Sequence, residues 1–110
     1  MIAENTQTQM RKGILEYCIL SIIARDETYA SDIIAELKTA QLLVVEGTLY
    51  PLLTRLKNNG LLTYNWVEST SGPPRKYYSL SDEGRKVLEQ LDTTWHELVF
   101  AVHTAIGKNN

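Results

Sequence analysis

The chain is poor in cysteine, proline and phenylalanine, with one Cys, three Pro and one Phe in 110 residues. A lone Cys18 cannot close an internal disulfide, so the sequence reads as that of a cytoplasmic protein in a reducing compartment. Its prolines are confined to Pro51, Pro73 and Pro74, which leaves long stretches free to form uninterrupted helix. Long apolar runs are also missing. The longest, ILEYCILSIIA, is interrupted by Glu16 and Ser21 and is too short to cross a bilayer, so no membrane partner is expected. The opening MIAENTQTQM is polar and carries an acidic residue, unlike a secretory signal. There is no cysteine pair, Gly-rich phosphate loop or nucleophile elbow. WHELVFAVH lacks the second histidine that a zinc-protease helix places four residues after His96, because position 100 is Phe. His103 stands seven residues on, about 10 Å along a helix axis, too far to share a metal with His96 within one chain. No cofactor, metal or enzymatic activity is expected.

What is present is an ordinary folded composition, 44% hydrophobic and 22% charged, in a chain of single-domain length. The net charge of −2 taken alone argues against nucleic acid. Its distribution does not. Residues 46–80 hold Arg55, Lys57, Arg75 and Lys76 against Glu46 and Glu68, whereas the remainder is acidic. A basic face on an acidic molecule suits local binding of DNA.

After a polar tail, Met10 to Arg25 has helical spacing and is apolar on nearly every side. Ile14, Leu15, Cys18, Ile19, Ile22 and Ile23 form a stripe that Tyr17 and Leu20 widen, so this helix should be sandwiched between partners. RDET reads as a turn, with Thr28 capping a second helix from Tyr29 to about Thr39. That helix turns Ile33, Ile34 and Leu37 inward. The short link AQLLVV leads into EGTLYPLLTRLKNNG, where Leu49, Leu52, Leu53 and Leu56 recur at spacings of three and four and Gly60 supplies the stop. Beyond Gly60 the period becomes two. Leu62, Tyr64 and Trp66 share one side of one strand, and Lys76, Tyr78 and Leu80 one side of another, with STSGPP as the loop of a hairpin. Ser81 then caps a final helix that runs to Ile106, with Asp82 and Glu83 in its first turn.

Three helices, a hairpin and a closing helix suggest a mainly α fold with a small β-hairpin, a winged helix-turn-helix. In the third helix the leucines point one way, and Gly47, Pro51, Thr54 and Asn58 point the other, flanked by Thr48, Tyr50 and Arg55. The centre of this outer face is short and uncharged, so it can approach a groove while Thr54 and Asn58 offer hydrogen bonds to base edges. Pro51 is tolerated because the first-turn N–H groups lack helical partners in any case. Arg75 and Lys76, at the root of the hairpin loop, can reach flanking phosphates. In the last helix, Leu88, Leu91, Trp95, Leu98, Val102 and Ala105 follow alternating steps of three and four, the pattern of a two-chain seam. At 1.5 Å per residue the helix is longer than so small a domain covers alone, so a homodimer is expected.

GTLYPLLTRLKNNGLL followed by PPRKYYSLSDEGRKVL resembles the PadR family of bacterial transcriptional regulators, and RKGILEYCILSII resembles that family's opening helix. The resemblance implies a winged-helix DNA-binding domain over residues 1–80 and a dimerisation helix over 81–110, folded as one compact unit. It implies a dimeric repressor bound to double-stranded DNA and, as often in the family, relieved by a small molecule; the two-fold symmetry of such a dimer calls for an inverted-repeat operator. It places Thr48, Tyr50 and Pro51 in the recognition helix and Arg75 and Lys76 in the wing. It also makes Trp95 a candidate for stacking a planar aromatic effector between subunits, the alternative being a tryptophan that plugs the dimer core. ASDII departs from the Gly-Tyr pair of many members, which bears on the start of the second helix. A winged-helix module that contacts proteins and lacks specific DNA binding is the alternative, and weak affinity for every DNA sequence would mark it.

Overall fold

A computed structural model of the chain describes residues 2–42, 44 and 46–107; Leu43 and Val45, within the link before the third helix, lie outside the described residues. The elements run α1 (Ile2–Arg25), β1 (Thr28–Tyr29), α2 (Ala30–Thr39), α3 (Glu46–Asn58), β2 (Leu62–Ser69), β3 (Gly72–Leu80) and α4 (Asp82–Ala105). The strands form an antiparallel sheet in the order β1-β3-β2. This is a winged helix-turn-helix with one long helix after the wing.

Three local expectations are corrected. The polar segment before Met10 is helical from Ile2. It contains neither Pro nor a Gly before Gly13, so nothing in its backbone chemistry stops the helix. Thr28 does not cap α2. It belongs to β1 and pairs with Tyr78, while Tyr29 occupies the cap position without a side-chain cap bond. The hydroxyl of Thr28 instead donates to the Asp26 carbonyl, 2.7 Å away. Finally, Pro73 and Pro74 lie within β3 and not in a loop. The register passes from Val67↔Arg75 to Ser69↔Gly72, which sets the two prolines opposite Glu68 alone. At such a bulge a missing N–H breaks no regular ladder bond, and β1 reaches only Tyr77 and Tyr78 on the other side.

The core follows the helical stripes. Ile19, Leu20 and Ile23 of α1, Ile33 and Leu37 of α2, and Leu49, Leu53 and Leu56 of α3 are almost wholly buried with Leu62, Tyr78 and Leu80 of the sheet. Each such aliphatic side chain contributes about 1.5–3 kcal/mol by leaving water. Cys18 packs at the edge of this core, and burial pushes its thiol pKa up. That lowers its thiolate fraction and makes it a packing residue.

Two glycine-linked contacts set the wing and α4 relative to α3. Gly60 ends α3 in the left-handed region at φ 79°, and Leu61 N–H donates back to the Leu56 carbonyl at 3.0 Å. Ser81 caps α4 as expected: its Oγ accepts from Gly84 N–H at 2.9 Å and donates to the Gly60 carbonyl at 2.5 Å. Gly84 is buried there, and a Cβ on it would stand 2.1 Å from the Leu61 carbonyl oxygen.

Candidate nucleic-acid interface

The buried ridge of α3 fixes what its other side presents. With Leu49, Leu53 and Leu56 inward, Gly47, Pro51, Thr54 and Asn58 are all exposed on the opposite face. Thr48 is half-buried at one margin. Tyr50, at the other, is 45% exposed. Partial burial, followed by the Glu46 carboxylate one turn earlier, raises its pKa; like any tyrosine, it is a hydrogen-bond donor at neutral pH. Arg55 is less available than its sequence position suggests. Its guanidinium forms an ion pair with Glu16 of α1, tying the outer helix to the core.

The wing cations lie on aromatic rings. The Arg75 guanidinium stands 5.1 Å from the centroid of Tyr29, which itself lies 5.8 Å from Tyr77. Lys76 Nζ is 4.0 Å from the centroid of Tyr64 and 5.9 Å from that of Trp66. Tyr64 and Trp66 meet edge to face at 6.4 Å. This ladder follows from the register, in which Tyr64 pairs with Tyr78 and Trp66 with Lys76 on one face. Lys57, absent from the sequence-derived site, reaches the same ring from the last turn of α3, with its Nζ 5.3 Å from the Tyr64 centroid. The period-two alternation signalled the aromatic face. No sequence signal placed Lys57 on it, because that contact depends on how α3 meets the sheet.

The predicted seam on α4 divides into two. Leu88 and Leu91 are half-buried against this chain's own core, whereas Trp95, Leu98, Val102 and Ala105 are exposed. Leu98 and Val102 each keep 50% of their surface open. Asp92 accepts a hydrogen bond from the Tyr17 hydroxyl at 2.5 Å, and the Tyr17 and Trp95 rings lie 6.4 Å apart. Around the exposed half of α4 is a largely apolar pocket of about 420 Å³ lined by Met10, Ile14, Trp95, Leu98, Val99 and Val102 together with Arg11 and His103. No helix among the described residues is long and apolar enough to cross a membrane.

Comparison with known proteins gives a consistent result. The model of the transcriptional regulator PadR-like family matches residues 19–90. A PadR-like transcription factor from Bacteroides fragilis is 58% identical, with 92% of this chain and 98% of that one covered at a TM-score of 0.78. A PadR family regulator from Eggerthella lenta is 33% identical over 98% of this chain and 95% of its own, at a TM-score of 0.86. Bacillus subtilis PadR in complex with operator DNA is 26% identical, covering 71% of this chain but only 46% of that one, at a TM-score of 0.65.

Proposed function

The chain belongs to the PadR-like family of transcriptional regulators, and from that premise we propose that it is a homodimeric repressor that binds an inverted-repeat operator and is released by a small molecule. The observation that carries the DNA-binding reading is the outer face of α3. Gly47, Pro51, Thr54 and Asn58 are exposed there with no charged group among them, and the wing cations Arg75 and Lys76 follow on the sheet. The low centre admits a groove edge, Thr54, Asn58 and Tyr50 supply hydrogen-bonding groups, and Arg75 answers a flanking phosphate. The relative from Bacillus subtilis solved with operator DNA supports the same use of this fold.

The dimer is assigned to the second half of α4, where Trp95, Leu98, Val102 and Ala105 continue a seam that Leu88 and Leu91 begin inside the chain. The effector is assigned to the pocket beside Trp95, whose apolar walls suit a planar aromatic molecule. The test of the central reading is a mobility-shift assay on duplex DNA from just upstream of the protein's own gene. Wild type should bind it more tightly than scrambled duplex. Tyr50→Ala and Arg75→Ala should each weaken binding while the dimer stays intact. Equal affinity for both duplexes in the wild type would remove the proposal of specific recognition.

A further inference from the structure

Among the basic residues of α3 and the wing, partners differ in kind. Arg55 is matched by a carboxylate. Lys57 and Lys76 form no ion pair among the described residues, and both lie against the ring of Tyr64, at 5.3 and 4.0 Å from its centroid. They come from different elements, the last turn of α3 and the middle of β3, so the fold itself gathers them. Their ammonium groups can be no farther apart than those two distances laid end to end, which is about one Debye length at physiological salt. Like charges so placed repel. A ring quadrupole orients a cation without neutralising it. The arrangement is thus two unneutralised cations gathered around one ring between the recognition helix and the wing, beside Trp66, which is 63% exposed. An anion that takes a hydrogen bond from each relieves their repulsion. Lys57 also suits the helix C-terminus, whose partial negative charge favours a cation.

We propose that Lys57 and Lys76, seated on Tyr64, act together as one site for a single backbone phosphate of duplex DNA, and that Tyr64 is the positioning residue of that site. This rests on the reading of α3 and the wing as a DNA-binding surface. The site fixes where the strand passes between helix and wing and carries no sequence preference of its own.

The test is fluorescence anisotropy with operator and scrambled duplexes across a salt titration, using K57M, K76M, the double variant, Y64F and Y64L. Circular dichroism confirms that each variant is folded. Methionine keeps the stem of lysine and removes only the charge. One phosphate contributes a salt slope of about 0.9, or roughly eightfold in affinity at 0.1 M salt. The double variant should lose about that much on both duplexes, and its slope should fall by about one. Y64F, which keeps the ring, should bind as wild type does, and Y64L should weaken binding to both duplexes. A slope reduced by about two in the double variant would mean separate phosphates, and an unchanged slope would mean no contact. Either result overturns the shared site, as does Y64L binding at wild-type affinity. Wild type that binds neither duplex defeats the underlying DNA-binding reading, a result distinct from these.

Discussion

Arg55 and Arg75 are both expected on the DNA-facing side of the molecule, yet their surroundings give them different roles. Arg55 is paired with Glu16, so replacing it alone would strand a carboxylate near the proposed groove face and confuse loss of a contact with new repulsion. The informative comparison is charge-neutral. A Glu16→Gln, Arg55→Met double variant should leave the salt slope of DNA binding close to wild type. Arg75→Met, which removes a cation that among the described residues has an aromatic ring and no carboxylate as partner, should lower it by about one. If the two variants lose equal slope, Arg55 contacts phosphate despite its partner. A second residue-scale prediction concerns Tyr17. Its hydrogen bond to Asp92, and after that its burial, push its pKa from 10.0 up to about 12. A phenol whose folded pKa lies above its unfolded value stabilises fully below pH 10. That contribution fades as pH climbs from 10 towards 12. Tyr17 should therefore contribute a late component to a phenolate absorbance titration. Tyr17→Phe should abolish that late component and flatten the loss of stability across the same window. A late component that persists in the variant belongs to another tyrosine.

At the scale of elements, the joint between α3, the wing and α4 is the least forgiving place in the chain. A side chain at Gly84 would meet a backbone carbonyl at 2.1 Å, and a carbonyl held by the turn cannot rotate away as a flexible side chain would. Gly84→Ala should therefore destabilise by about 2 kcal/mol, lowering the melting temperature by about 10 °C in a domain of this size. Thermal unfolding followed by circular dichroism checks it, and a shift under a few degrees would mean that α4 slides to make room. This joint was only partly legible in the sequence. Ser81 announced itself as a cap, but the glycine three residues later carries no local signal of what packs over it. The same division holds elsewhere. The leucine spacing of α3 fixed both its buried ridge and its outer face, because one periodicity determines both. The two-residue β1 is too short to show any periodicity, and its existence depends on Tyr77 and Tyr78 arriving from far along the chain. Pro73 and Pro74 read as loop residues because the bulge that accommodates them is a property of the register. Lys57 was missed for the same reason: its partner is on another element.

For the whole molecule, the proposed dimer would link α4 to the DNA through its symmetry. A two-fold dimer presents two copies of α3, and these occupy successive major grooves only when one DNA turn apart, about 34 Å. The operator should then be an inverted repeat whose isolated half-site binds much more weakly. The exposed half of α4 offers a clean way to test this, because Leu98 and Val102 are each 50% open in the single chain. Glutamates there are solvated in the monomer. In a symmetric seam, however, Leu98→Glu with Val102→Glu buries four like charges, two from each subunit, and unpaired buried charge costs several kcal/mol per group. Leu91 is a poorer choice, since it packs on the chain's own core and its replacement would threaten the fold. The double variant should remain folded, run as a monomer by light scattering, and bind the inverted repeat no more tightly than wild type binds a single half-site. Its affinity for that half-site should be unchanged, because no groove residue has been altered. A folded monomer that held the full operator at wild-type affinity would show that each chain reads its site independently, and that α4 serves some other association.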